Sequence, residues 1–211
     1  MEAKYNELLS MNAKIVRTKL AEDPEYFHNM AKGQQPNFLW LGCSDSRVPA
    51  NEITGTESGD MFVHRNIANL VIHTDLNFMS VLQYAVNVLK VKHVIVCGHY
   101  GCGGIKAAME ESDFGLMNKW LRNIKEIYAM NEKELDDMTD DHERTNRLVE
   151  LNVANQVDNL AKTSIMQREW MEREVHIHGW VYELDTGKIK DLGIDITGPD
   201  HLAHMFRFKG F

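Results

Sequence analysis

The chain has 211 residues, 44 % of them hydrophobic and 26 % charged, with a net charge of −8 and a pI near 5.7. That length and balance fit one folded α/β domain with a real core and exclude a disordered chain. An acidic chain without a Lys/Arg cluster also excludes a nucleic-acid partner and a docking face for anionic lipid.

Residues 3–20 carry Leu8, Leu9, Ile15, Val16 and Leu20 near helical spacing, which predicts an amphipathic first helix. A short helix over 24–32 completes an N-terminal helical arm, 1–34. The first residues are charged throughout and lack an apolar h-region, so no secretory signal is expected. Phe38–Gly42 reads as a buried strand and Met61–Arg65 as a second. Over 74–90, Phe78, Val81, Leu82, Ala85, Val86 and Leu89 form a helical stripe. The β-branched run VKHVIVCG, 91–98, predicts the third strand. Helices are expected over 105–110, 115–130 and 143–170, the last two with acidic exposed faces. Residues 174–184 and 188–194, joined through Asp185-Thr186-Gly187, read as a fourth strand and a hairpin return.

This alternation predicts a central, mainly parallel β-sheet flanked by helices on both faces. Ligands of such sheets sit outside the carboxyl ends of the strands. No repeat, low-complexity stretch or Gly/Ser linker divides the chain, so 1–211 is expected to be a single domain with its α/β core in 35–211. Apolar runs fall far short of the about 20 residues that a membrane-spanning helix needs. Three cysteines, Cys43, Cys97 and Cys102, are too few and odd in number for a disulfide framework. They suit a reducing compartment, most simply the cytoplasm.

Cys43 and Cys102 are placed just after strand ends, and Cys97 within the third strand. His99 and Cys102 form a His-x-x-Cys pair in a glycine-rich loop, CGHYGCGGI. Thiolate and imidazole are preferred zinc ligands, and Cys43 can supply a third. Three protein ligands with one open position is the pattern of a catalytic zinc, whereas structural sites close with four. The competing reading makes the cysteines small buried hydrophobes. Asp45 and Arg47 follow Cys43 at i+2 and i+4, on one side of a segment expected to be extended. Arg47 can hold Asp45 ionised and oriented, either to accept a hydrogen bond from a water on the metal or to ligate the metal itself. The bland alternative is an exposed ion pair.

The combination Cys43-Ser44-Asp45-Ser46-Arg47 with His99-x-x-Cys102-Gly103-Gly104 resembles the β-class carbonic anhydrases. The likeness continues through Val63-His64-Arg65-Asn66-Ile67-Ala68-Asn69 and His178-Gly179-Trp180-Val181-Tyr182. It implies one Zn2+ per chain on Cys43, His99 and Cys102, with Asp45 and Arg47 as the catalytic dyad. The implied reaction is reversible hydration of CO2 to bicarbonate and a proton by hydroxide held on the zinc. Two thiolates neutralise much of the zinc charge, so activity is expected to favour alkaline pH. Trp40, Arg65 and Tyr182 match a non-catalytic bicarbonate pocket of one subgroup. Filling it would release Asp45 from Arg47 to become the fourth zinc ligand, shutting the enzyme. The resemblance also implies a homodimer or homotetramer, with the first helix on the partner subunit. His64 and His73 are candidate proton carriers, each with an ordinary structural role as the alternative.

Two other readings use the same residues: a carbon disulfide or carbonyl sulfide hydrolase, and a non-catalytic bicarbonate- or zinc-binding regulatory protein. Loss of Asp45 or Arg47 would mark the latter, and both are present. A nucleobase deaminase would need Pro-Cys-x-x-Cys, and a zinc alcohol dehydrogenase Gly-x-Gly-x-x-Gly; neither occurs.

Overall fold

The structure is a computed structural model that describes residues 2–210, with side chains from Lys4 onward. Its contacts fall into two compact units, Met1–Gln35 and Pro36–Phe211. The first contains α1 (Glu2–Glu22) and α2 (Tyr26–Met30). The predicted stripe of α1 is open to solvent in the single chain, with Leu8 68 % and Leu9 61 % exposed. Lys19 lies over the Tyr26 ring at 5.0 Å, tying the two helices together.

The second unit is built on a sheet of order β2-β1-β3-β4-β5. Its strands are β1 (Phe38–Cys43), β2 (Met61–Asn66), β3 (His93–His99), β4 (His176–Tyr182) and β5 (Ile189–Ile196). The first four run parallel and β5 returns antiparallel along β4. β1 and β3 are nearly continuous apolar runs because both their faces are covered.

The two faces are covered unequally, where helices on both were expected. One face carries Leu39, Leu41, Val94, Val96, Ile177 and Val181. It shares one apolar core with α4 (Leu76–Gln83), α5 (Gly103–Met109), α6 (Met117–Met130), α7 (Glu132–Asp136), α8 (Asp141–Ala161) and α9 (Ser164–Glu172). The other face carries Trp40, Ile95 and Cys97, against which the short α3 (Ala50–Thr54) lays Ala50 and Ile53. Among the described residues no helix is long and apolar enough to cross a membrane.

Two predicted helices break. The 74–90 stripe becomes α4 followed by a π-helical turn, Tyr84–Val88, closed by Leu89 N donating to Tyr84 O at 3.0 Å. The 143–170 stretch divides into α8 and α9 at Thr163. Its hydroxyl donates to Leu160 O at 2.8 Å and accepts from Met166 N at 3.2 Å, capping both ends. The short α3 and α7 are not foreseen in the sequence, because five residues carry too little periodicity to register.

Glu169 of α9 fastens the π turn to the rest of the core. Its side chain is 2 % exposed and accepts from Asn87 and Lys90, each at 2.8 Å, and from Arg173. Burial alone would raise its pKa, but Lys90, Arg173 and Asn87 outweigh it and leave it lowered. A lowered folded value means that this contribution is complete above the unfolded value near ~4.3 and disappears as pH falls through the folded one. Glu169→Ala is expected to cost about 2–3 kcal/mol, or roughly 4–12 °C in Tm, at neutral pH. Thermal melts of both proteins should converge as pH falls through the lowered folded value; a constant gap across pH would refute the assignment.

Candidate active site

β1 and β3 are parallel neighbours with Gly42 registered against Cys97, so their carboxyl ends lie side by side. Cys43 is the last residue of β1 and His99 the last of β3, while Cys102 stands at the N-cap of α5. Cys43 is thus inside the strand end, not beyond it. One ligand atom from each of the three lies within 4.8 Å of the others. The two sulfurs are 3.9 Å apart and both thiols are free. Two sulfurs about 2.3 Å from one tetrahedral zinc stand about 3.8 Å apart, whereas a disulfide needs about 2.05 Å.

His99 is fully buried. Its Nδ1 faces Tyr100 O at 3.1 Å, which puts the proton there and leaves the Nε2 lone pair free. That Nε2 is buried with no hydrogen-bond partner. A buried, unpartnered imidazole nitrogen facing two thiols fits a thiophilic metal ion and fits little else. The thiols share one proton. Cys43 is pulled down, chiefly by the Cys102 thiol donating to it, with the backbone N–H groups of Asp45 and Ala68 helping against burial. The same contact, together with burial, pushes Cys102 up. A dication would take the place of that shared proton. Cys97 lies on the other face beside Trp40, its thiol pushed far up by burial, and is not part of this group.

The Asp45–Arg47 segment is a tight turn and not extended. Val48 N donates to Asp45 O at 3.1 Å and Arg47 N to Asp45 Oδ1 at 3.0 Å. The turn folds the two side chains onto each other as a bidentate pair, Nε–Oδ1 2.9 Å and Nη2–Oδ2 2.7 Å. Arg47's hydrogen bond holds the Asp45 carboxyl well below the usual carboxylate range. Asp45 Oδ2 is 3.7 Å from His99 Nε2, so an ionised acceptor overlooks the ligand group. Arg47 also lines a cavity of about 400 Å³ with Tyr100, His142, Asn146 and the β4–β5 hairpin.

Arg65 reaches the same turn from β2. Its Nε donates to Cys43 O at 2.8 Å and its Nη2 to Asp45 O. It is registered against Gly42, over which the Trp40 indole lies. Trp40 is fully buried, shares the second apolar cluster with Tyr182, and its Nε1 has no hydrogen-bond partner. His64 is buried against the Phe78 ring, and the exposed His73 sets Nε2 2.8 Å from Asn159 O. Neither is hydrogen-bonded to the ligand group.

The carbonic anhydrase family profile matches residues 38–189, most of the chain and all of these side chains. The chain belongs to the β-carbonic anhydrase family. It is 51 % identical over 199 residues to a carbonic anhydrase of Emericella nidulans, covering 94 % of this chain and 87 % of that one. It is 36 % identical to a carbonic anhydrase of Candida albicans, covering 86 % of this chain and 65 % of that one. Among solved structures, a tetrameric β-carbonic anhydrase of Sordaria macrospora superposes with a TM-score of 0.89 at 39 % identity, covering 92 % and 99 % of the two chains. The Coccomyxa β-carbonic anhydrase in complex with acetazolamide gives 0.87 at 38 %, covering 91 % and 87 %. The activity is therefore that of a carbonate dehydratase, a lyase, and the Cys–His–Cys group could hold a metal ion.

Several β-carbonic anhydrase side chains here escaped sequence reasoning. Gly42 leaves no room for a Cβ, which would strike the Trp40 indole nitrogen. A glycine inside a buried strand is the signal that marks such an approach. Ala68 and Asn69 adopt positive φ, 61° and 49°, in the turn that brings the Ala68 N–H to Cys43. Asn69 is the one local signal of that turn, since asparagine favours positive φ among the residues with a side chain, and Ala68 gives none.

Proposed function

We propose that Cys43, His99 and Cys102 hold one zinc ion and that Asp45 and Arg47 are the catalytic dyad for reversible CO2 hydration. The observation that carries this reading is the orphaned His99 Nε2, converging with two thiols beside an Arg47-locked Asp45. When bound there, zinc acts as a Lewis acid that lowers the pKa of a coordinated water towards about 7.

The chain's own residues do the rest. Tyr100 O fixes the His99 tautomer, and backbone N–H groups of Asp45 and Ala68 stabilise the Cys43 thiolate. Asp45, ionised and acceptor-only, takes a hydrogen bond from the attacking water and aims its lone pair at CO2. Arg47 keeps Asp45 turned to that task and away from the metal. Arg47 in turn is 58 % exposed and faces the cavity through which CO2 and bicarbonate pass. Stripping the metal and assaying CO2 hydration tests the reading: activity should vanish and return with zinc.

The bicarbonate switch rests on Arg65. Its guanidinium holds the carbonyls on both sides of Ser44, while Trp40 Nε1 waits as a buried donor without an acceptor. Bicarbonate bound to Arg65, Trp40 Nε1 and the Tyr182 hydroxyl would draw Arg65 off the Cys43–Asp45 turn. Arg47 would then lose Asp45, whose freed carboxylate could serve as a further ligand to the metal and so close the enzyme. Ligand selects the closed state only by binding it better. Here Asp45 is paired with Arg47, the open arrangement. Trp40→Phe and Tyr182→Phe should each weaken inhibition beyond product competition by roughly ten- to a hundredfold, the effect of one lost hydrogen bond to an anion. Steady-state inhibition by bicarbonate unchanged in both would refute the pocket.

The exposed apolar stripe of α1 is the natural seat for a partner subunit, so the protein acts as a homodimer or homotetramer. Thiol ligands must stay reduced, which supports a reducing compartment such as the cytoplasm.

A further inference from the structure

A second convergence of metal-ligating side chains lies at the amino ends of the strands, away from Cys43, His99 and Cys102. His93 opens β3 and His176 opens β4, registered directly opposite each other. His178, two residues along β4, shares their face. We propose that His93, His176 and His178 form a second metal site, for a borderline divalent transition ion such as zinc.

The geometry carries the assignment. One nitrogen from each ring lies within 4.8 Å of the others. His93 Nδ1 and His178 Nε2 are 3.0 Å apart, and two nitrogens at about 2.0–2.1 Å from one tetrahedral zinc sit about 3.3 Å apart. All three rings are near-parallel, with centroids 5.1 to 5.7 Å apart and angles of 7° to 32°. Phe38 stacks on His93 at 5.4 Å and limits its rotation.

Two carboxylates flank the His176 ring, one at each nitrogen. Asp195, across from His178 on β5, sets Oδ1 2.8 Å from His176 Nδ1 and 3.8 Å from His178 Nδ1. The 2.8 Å contact puts a proton on His176 Nδ1, donated to Asp195, and leaves its Nε2 as the ligand nitrogen, the carboxylate–histidine arrangement of metal ligands. Glu174 Oε1 is 3.1 Å from His176 Nε2. Burial holds His93 and His178 below the usual imidazole range, in the neutral form that ligates metals. Opposing charge comes from Lys90, Lys92 and Arg173 in the adjoining cavity, of which Lys90 and Arg173 are paired with Glu169. Imidazoles without thiolates make this the weaker site for zinc, filled after the Cys–His–Cys group.

Metal-stripped full-length protein titrated with Zn2+, then with Co2+, tests this. Zinc analysis should reach two ions per chain in wild type and one in His93→Gln and in His176→Asn, with CO2 hydration unchanged in both. Asp195→Asn should weaken the second equivalent about 10- to 100-fold. The second Co2+ equivalent should add d–d absorption without new sulfur-to-metal charge transfer, a readout that needs no variant to fold. Saturation at one ion per chain, a second ion undiminished in both histidine variants, or thiolate charge transfer from the second equivalent would each overturn the proposal.

Discussion

Cys102→Ala is expected to purify without zinc at the Cys–His–Cys group and to hydrate CO2 at least about a thousandfold more slowly than wild type. The size follows from what the metal supplies: without it, the nucleophile reverts to water with a pKa near 15.7. Two features make alanine at 102 costly to the site but not to the fold. Cys102 is an N-cap with no side-chain cap bond to lose, and alanine leaves the glycines that follow it undisturbed. The remaining pair, Cys43 and His99, would be left with two ligands, too few for a stable zinc centre. Cys97→Ala is the internal control. That thiol faces the opposite side of the sheet beside Trp40, so zinc content should stay at wild-type level. Equal zinc loss in both variants would mean that the ligand set is misassigned.

Arg47→Ala should keep its zinc and still lose roughly 10- to 100-fold in kcat/KM. The reason is positional, not a change of charge state. Arg47 makes three contacts to the Asp45 carboxylate, one from the backbone and two from the guanidinium. Removing the guanidinium lets the Asp45 pKa climb back only towards ~3.9, so Asp45 remains ionised at neutral pH. The deficit should therefore be the same at pH 7 and pH 9. A deficit that disappears as pH rises would point to protonation instead and would defeat the dyad as drawn. Arg47→Lys should be impaired as well, because an ammonium keeps the charge but cannot make the paired, planar contact. Asp45→Asn removes the acceptor itself and is expected to match or exceed the Arg47→Ala loss, again with zinc retained.

What the sequence discloses about this molecule follows from how local each feature is. β1 and β3 are legible because a strand buried on both faces is a continuous apolar run. Cys43, Asp45, Arg47, His99 and Cys102 are legible because they crowd into two short motifs at strand ends. The Asp45–Arg47 pair is legible too, but the turn that makes it is not, since the alternating motif reads as an extended segment. Thr163 divides a helix that periodicity alone runs together, because its capping bonds compete with helix continuation. Arg65 is harder still. Its bonds to Cys43 O and Asp45 O require β2 to lie in a particular register beside β1, a relation between segments about twenty residues apart. The His93, His176 and His178 convergence likewise exists only once β3 and β4 are paired.

The most direct test is a zinc titration of metal-stripped wild-type protein, with CO2 hydration followed by stopped flow and metal content measured on the same samples. The rate should climb in proportion to the first zinc equivalent, reach its plateau at one ion per chain, and gain nothing from further zinc. Full CO2 hydration by the metal-free protein, or a rate indifferent to the first equivalent, would contradict the account.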